Sequence, residues 1–133
     1  MAHADKNKIR LLFLSTVLII PAFLYVAYAL APGILAEKAA DATVKASDAN
    51  LASILAIAFG LIFAAEFFFF KPFIENSQLI TLESKVAVLS SVGSTASIGG
   101  FIAFFFSGNV TYLWAFMFLH AAYAAIIYWK HLR

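Results

Sequence analysis

Residues 51–70 read LASILAIAFGLIFAAEFFFF, and this stretch decides the fold. Glu66 is its only charged residue, and polar and apolar residues do not alternate along it. An α-helix rises ~1.5 Å per residue, so a helix of this length crosses a hydrocarbon core of ~30 Å. A continuous apolar run favours a helix, which satisfies its own backbone polar groups in lipid. The stretch therefore predicts a transmembrane helix.

Three further stretches share this character, at residues 11–31, 86–106 and 110–129. Of the 133 residues, 64% are hydrophobic and 12% are charged. A soluble domain is about half apolar and about a quarter charged. We therefore predict an all-α integral membrane protein. It forms a single membrane domain over residues 1–133, in which four transmembrane helices make a small antiparallel bundle.

The first apolar stretch also has features of a signal peptide. Basic residues precede it, and Ala29-Leu30-Ala31 looks like a cleavage site. The apolar run is longer than a signal peptide's, however, and Pro32 directly follows the cleavage position. We therefore expect this stretch to be retained as the first transmembrane helix.

Lysine and arginine are distributed unevenly between the connections, and this asymmetry predicts the orientation. With four spans, the N-terminus, the connection 71–85 and the C-terminus share one side of the membrane. Of the nine Lys and Arg residues, only Lys38 and Lys45 fall on the other side. Because basic residues concentrate on the cytoplasmic side, we predict a plasma-membrane protein with both termini in the cytoplasm.

Two prolines predict irregularities in the helices. Pro21 lies in the middle of the first span and leaves the carbonyl of Val17 without its helical donor, which predicts a kink. Pro72 follows the second span and is expected to end that helix. Residues 74–85 then mix apolar and polar side chains, a pattern typical of a short segment on the membrane surface.

The other two connections differ in length. Residues 32–50 form a long one, and its Ala-rich middle, residues 36–46, either extends the first helix or lies at the membrane interface. The connection Ser107-Gly108-Asn109 is so short that helices 3 and 4 are predicted to form a tight hairpin.

Glu66 is the most distinctive candidate site residue, because an intramembrane carboxylate is costly and is often functional. The structural alternative is a carboxylate near the inner interface that reaches water or Lys71. Counted along their helices, five other polar residues fall at a similar depth. We predict that they form one hydrogen-bonded layer around Glu66: Ser15, Thr16, Ser90, Ser91 and Tyr123.

His120 lies near the centre of the fourth span, with Met117 and Tyr123 on the same helix face. Histidine and methionine together ligate copper or haem, but His3 and His131 lie in the tails. His120 and Met117 are therefore candidate metal ligands only with further ligands from a partner chain. The alternative is a neutral histidine hydrogen-bonded to a neighbouring helix. We predict no metal or other cofactor for this chain alone.

The third span carries small residues on one helix face: Ser90, Gly93, Ser94, Ser97 and Gly100. Gly93 and Ser97 form a small-xxx-small pair, which lets another backbone approach closely and predicts tight helix packing. Whether the partner helix belongs to this chain stays open. The functional alternative is a helix broken at Gly99-Gly100 that lines a substrate site.

The sequence also excludes several kinds of function. It has no cysteine, which removes disulfides, thiol catalysis and iron–sulfur clusters. The net charge of +2 comes from scattered residues, so we expect no nucleic acid partner. There is no phosphate-binding loop, nucleophile elbow or pair of intramembrane carboxylates. We therefore predict that the chain is not an enzyme by itself and has no soluble substrate.

Two kinds of function remain. The first is a small accessory or structural subunit of a larger membrane complex, such as a bioenergetic oxidoreductase or a membrane monooxygenase, with other membrane subunits and lipid as partners. This hypothesis rests on size and topology. The second is a small homo-oligomeric transporter or channel in which Glu66 is the functional carboxylate. A redox or metal role of His120 at a subunit interface is a third hypothesis.

Overall fold

The structure is a computed structural model that describes the backbone of residues 2–40 and 42–133, and the side chains of residues 6–33 and 50–133. This described part contains helices and no strand, so the predicted all-α class is confirmed there. Its elements are α1 (Ala2–Val17), α2 (Ile19–Ala40), α3 (Ala42–Ala65), a first π-helical segment (Glu66–Phe70), α4 (Lys71–Asn76), α5 (Leu82–Ser107), α6 (Val110–Ile127) and a second π-helical segment (Tyr128–Leu132).

Four helical stretches of the described residues are long and apolar enough to cross a membrane. They are called spans 1 to 4 below: Lys6–Gly33, Asn50–Asn76, Leu82–Ser107 and Val110–Leu132. Each contains one of the four predicted stretches, so the prediction of four helical spans is confirmed. The observed helices are longer than predicted because helical backbone continues into the polar residues that flank each apolar run.

Span 1 is interrupted between α1 and α2, near the predicted kink. The Leu18 N–H donates to the Leu14 carbonyl at 3.0 Å, and the Ala22 N–H donates to the Leu18 carbonyl at 3.2 Å. Pro21 has no N–H to donate to Val17, four residues earlier. The helix is therefore interrupted next to the carbonyl that Pro21 leaves without a donor.

The long connection between spans 1 and 2 is helical over most of its length, because α2 ends at Ala40 and α3 begins at Ala42. The Ala-rich middle therefore extends helices on both sides of residue 41, consistent with the high helix propensity of alanine. The side chains of residues 34–49, including those of Lys38 and Lys45, lie outside the described part.

Pro72 does not end the helix of span 2, so that prediction was wrong. In an α-helix, the ring of Pro72 would clash with the carbonyl of Phe68, four residues earlier. Here Glu66–Phe70 is π-helical, and the Lys71 N–H donates to the Glu66 carbonyl, five residues earlier. A π turn holds one additional residue and has a wider ring. The widened turn accommodates Pro72, and the helix continues to Asn76.

Most of the predicted surface segment, residues 74–85, therefore belongs to the end of α4 or to the start of α5. Only residues 77–81 are non-helical between α4 and α5. Thr81 caps α5, because its side-chain oxygen accepts a hydrogen bond from the Ser84 N–H at 3.2 Å.

The connection between α5 and α6 is as short as the sequence predicts. Gly108 ends α5 in the left-handed region with φ 68°, and its N–H donates to the Phe104 carbonyl at 2.7 Å. Glycine adopts this conformation without the steric cost that a side chain would add. Asn109 then caps α6, because its side-chain oxygen accepts a hydrogen bond from the Thr111 N–H at 2.9 Å.

Helix α5 is the centre of the bundle and contacts α1, α2, α3, α4 and α6. Two clusters of buried apolar side chains surround it. One cluster lies near the start of α5 and includes Phe13, Leu89 and Ile127. The other lies near its end and includes Phe104 and Met117. Most of the polar groups discussed next lie on α5 or on the helices that pack against it.

Candidate functional site

Glu66 is half-buried at the start of the first π-helical segment and forms hydrogen bonds with α5. The hydroxyl oxygen of Thr95 lies 3.2 Å and 3.1 Å from the two carboxylate oxygens. Both residues line a groove of about 700 Å³ between residues 65–73 and α5, which we call the Glu66 groove. The carboxylate is therefore held by one neutral donor at the edge of an apolar groove.

The predicted polar layer around Glu66 does not form. The hydroxyls of Ser15, Thr16 and Ser91 each donate to a carbonyl three residues earlier in their own helix, at 2.6–2.7 Å. Such local bonds satisfy a hydroxyl in apolar surroundings without a second helix. Tyr123 instead donates across the bundle to the Leu89 carbonyl at 2.7 Å. Of the predicted layer, only Ser91 lines the Glu66 groove.

His120 is buried, with 1% of its surface exposed. Its Nδ1 lies 2.5 Å from the hydroxyl of Ser97, which itself lies 3.4 Å from the sulfur of Met117. Ser97 has one proton, so both contacts are satisfied together if Nδ1–H donates to Ser97 and Ser97 donates to Met117. Nε2 has no hydrogen-bond partner among the described residues. The contacts join α5 to α6 within this chain.

The described surroundings of His120 supply no further metal ligand of the His, Asp or Glu type. Among the described side chains, no group of three or more His, Asp or Glu residues is placed to hold a metal ion. Met117 lies near His120 through Ser97, as the sequence suggested. A metal there would require ligands from outside the described side chains.

The predicted small-residue face of α5 packs against α6. A Cβ atom added to Gly93 would lie 2.6 Å from Nε2 of His120, and one added to Gly100 would lie 2.5 Å from Cβ of Phe116. Ser97 is fully buried, and Ser94 is half-buried. Ser90 is buried too, and its hydroxyl has no partner among the described residues. The partner helix of this face belongs to the chain itself.

Gly99 was part of the alternative in which α5 breaks to line a substrate site. Here α5 is continuous through Gly99 and Gly100. A Cβ atom on Gly99 would lie 2.6 Å from Cβ of Phe59, so Gly99 lets α3 approach α5 on another face. The two adjacent glycines therefore serve packing against two different helices.

An ionic cluster around Glu75, which the sequence did not predict, links the connection between spans 2 and 3 to the C-terminal residues Lys130 and His131. The Glu75 side chain is 7% exposed and lies 2.5 Å from Nζ of Lys71, 2.6 Å from Nζ of Lys130 and 3.0 Å from Nε2 of His131. Lys85 donates to the Glu75 backbone carbonyl at 3.0 Å. We call these five residues the Glu75 cluster.

This cluster bears on one alternative and corrects one expectation. Lys71, which the structural alternative offered as a partner of Glu66, pairs with Glu75, four residues later. His131 was expected in a tail far from the core, yet its side chain is only 13% exposed because it packs against Glu75. The helical spacing of Lys71 and Glu75 is a sequence signal for their pair. No local signal joins Glu75 to Lys130 or His131.

No protein-family model, no curated protein and no solved structure matches this chain. The function is therefore argued from the placement of these side chains.

Proposed function

We propose that this chain is a small accessory subunit of a larger membrane protein complex, which it stabilises by packing a helix of another subunit against its spans. The observation that carries the proposal is an open surface around Gly60, where no atom of the described residues lies within 4 Å of an added Cβ atom. A bioenergetic oxidoreductase or a membrane monooxygenase is the class of assembly that we propose.

The Gly60 surface lies in a shallow groove of about 370 Å³ between α3 and α6. Gly60, Ala64 and Ala122 line it together with larger apolar and aromatic side chains, and a Cβ atom added to Gly60 would meet none of the described atoms within 4 Å. Gly60 and Ala64 are four residues apart, the spacing of small-xxx-small helix contacts in membranes. The equivalent glycines of α5, Gly93 and Gly100, are already covered by α6. Gly60 thus leaves room in this groove for the close approach of another helix.

The burial of the four spans supports the same proposal. In the most apolar window of spans 3 and 4, 56% and 39% of the residues are buried. In spans 1 and 2 only 11% and 6% are buried. Spans 1 and 2 therefore enclose few of their residues within the bundle, and their outer faces are available to lipid or to other helices.

The test is purification of the tagged chain from its native membrane in mild detergent, followed by native mass spectrometry. We expect a heteromeric complex of fixed stoichiometry. Gly60→Leu should remove the chain from that complex, because the new side chain fills the groove that a partner backbone would enter. Gly33→Leu is the matched control, since Gly33 is also a helical glycine with nothing within 4 Å of an added Cβ. A lone homodimer, or a complex unaffected by Gly60→Leu, would contradict the proposal.

We further propose that both termini are cytoplasmic and that the membrane is the plasma membrane. Lys8 of α1 lies 2.9 Å from Glu83 at the start of α5, and Lys130 contacts Glu75 in the connection. Lys8 and Lys130, one from each terminal region, thus lie with the connection at one end of the bundle. The positive-inside rule assigns such an end to the cytoplasm.

A homo-oligomeric transporter or channel is the second candidate function. The observation that favours it is Glu66, an intramembrane carboxylate that lines an open groove instead of an enclosed ion pair. Purified protein in liposomes should then show a flux that Glu66→Gln abolishes. Absence of flux in liposomes that contain the homo-oligomer would exclude this function.

A further inference from the structure

The Glu66 groove has the size and lining of a site for a small amphiphilic molecule. Its volume is about 700 Å³, within the range of roughly 300–1,000 Å³ that is typical of ligand pockets. Phe69, Phe70 and Phe73 form an aromatic wall on span 2, Glu66 lies on the same helical segment, and Thr95 of α5 supplies a further polar group. Such pockets are mostly apolar with a few polar groups that orient the ligand.

The carboxylate has acceptor capacity that this chain does not use. Thr95 lies within hydrogen-bond distance of both oxygens, but its single hydroxyl proton serves one oxygen at a time. Among the described residues, no Lys, Arg or His forms an ion pair with Glu66, because Lys71 is bound to Glu75. An ionised carboxylate at this depth is stabilised by a cation beside it.

The aromatic wall favours an organic cation. The side chains of Phe69 and Phe73 are exposed by 78% and 70%, so their ring faces are open to the groove and its surroundings. Aromatic faces attract ammonium-type cations, most strongly where water is excluded. An inorganic cation, by contrast, requires several oxygen ligands, and the groove lining offers only Glu66 and two hydroxyls.

Other occupants fit less well. The groove covers residues 65–73 of span 2, about 13 Å at ~1.5 Å per residue, whereas a partner helix needs a contact along much of the ~30 Å core. A second copy of the chain offers no cation at this depth, because none of the four apolar stretches contains Lys or Arg. Lys71 marks the nearby membrane interface, about 8 Å from Glu66 along the helix. Amphiphilic cations partition into that interface and would enter the groove from the side.

We propose that the Glu66 groove binds a lipophilic organic cation, with the positive charge at the Glu66 carboxylate and the apolar groups against Phe69 and Phe73. Binding does not require transport, so this inference stands apart from both candidate functions. The Gly60 surface lies in a different groove, and variants there leave the cation site unchanged.

The test uses the purified chain in phosphatidylcholine nanodiscs and radiolabelled tetraphenylphosphonium as the probe, with empty nanodiscs as the blank. We expect saturable binding that unlabelled tetraphenylphosphonium displaces and that triphenylphosphine oxide, a neutral relative, does not. Glu66→Gln should weaken binding at least tenfold, while Glu83→Gln, a change at an exposed carboxylate, should leave it unchanged. Equal affinity of the wild type and Glu66→Gln, or equal competition by the neutral compound, would overturn the proposal.

A second pair of variants keeps the test decisive if Glu66→Gln does not fold. Phe68 and Phe69 are neighbours with exposed side chains, but only Phe69 lines the Glu66 groove. Phe69→Leu should weaken tetraphenylphosphonium binding about threefold or more, and Phe68→Leu should leave it within error of the wild type. Equal effects of the two changes would overturn the proposal.

Discussion

Nε2 of His131 lies 3.0 Å from a carboxylate oxygen of Glu75, although 56 residues separate them in sequence. This contact binds the end of the chain to the connection between spans 2 and 3. Lys71 and Lys130 share the same carboxylate. One acidic side chain therefore joins α4 to the second π-helical segment, and its loss affects two parts of the bundle at once.

Replacing Glu75 should destabilise the bundle strongly. Glu75→Ala leaves Lys71, whose side chain is 10% exposed, without its counterion. Breaking a buried ion pair in this way costs about 3 kcal/mol. The free energy of unfolding in mild detergent, measured by titration with a denaturing detergent, checks this expectation. Glu83→Ala is the control, because its pair with Lys8 is exposed and should contribute less than ~1 kcal/mol. Equal losses for the two variants would contradict the role of the Glu75 cluster.

A methyl group at Gly93 should destabilise the contact between α5 and α6. The added Cβ atom would lie 2.6 Å from Nε2 of His120, so the imidazole or the helix must shift. Overpacking of this kind costs roughly 1–3 kcal/mol of unfolding free energy. Gly60→Ala, where nothing lies within 4 Å, should be neutral or slightly stabilising. The same denaturation assay compares the two variants.

The Gly93 effect should depend on His120. In a double-mutant cycle, Gly93→Ala should cost much less when His120 is already alanine, because the clashing ring is absent. A cost that is independent of His120 would show that the two residues are not coupled.

The hydroxyl of Tyr123 should contribute a modest stabilisation. Tyr123→Phe removes the hydrogen bond to the Leu89 carbonyl and keeps the ring that packs against Phe63. Interhelical hydrogen bonds in membranes contribute about 0.6–1.7 kcal/mol. Tyr25→Phe is the matched control, because Tyr25 is 77% exposed. A loss of equal size for both variants in the denaturation assay would contradict the assignment.

Single-cysteine labelling should reveal the orientation. The chain has no cysteine, so each introduced thiol reports without background. A thiol at position 109, between α5 and α6, should react with an impermeant maleimide in intact cells. A thiol at position 77, in the connection, should react only after the membrane is opened. The reverse pattern would place both termini outside.

The parts of the fold that depend on local sequence were predictable. Four apolar stretches specify four helical spans, and Gly108 and Asn109 specify the tight connection between α5 and α6. The interruption near Leu18 follows from the missing N–H of Pro21. These features need only the chemistry of neighbouring residues, which the sequence shows directly.

The candidate sites were less predictable, because they depend on long-range geometry. The sequence singles out Glu66, but in the structure its hydrogen-bond partner is Thr95 and not the predicted layer of hydroxyls. Depth along a helix does not determine which way a side chain points around it. Ser15 and Thr16 show a further reason, since each is satisfied within its own helix. The Glu75 cluster could not be predicted without knowing that the helix continues past Pro72 to Asn76.

The π-helical segment at Glu66–Phe70 determines the angular positions, around the helix axis, of the side chains that follow it in span 2. Phe63 packs against the core, and in an uninterrupted α-helix Phe70 and Ile74 would share its side of the helical wheel. One additional residue in the π turn brings Lys71 and Glu75 to those two angular positions. Lys71 is accordingly 8% exposed and Phe70 38% exposed, while Ile74, next to Glu75, stays buried. Deleting one phenylalanine from this run would remove the additional residue, so an uninterrupted α-helix would keep Lys71 and Glu75 at the same angular positions but would press the ring of Pro72 against the carbonyl four residues earlier.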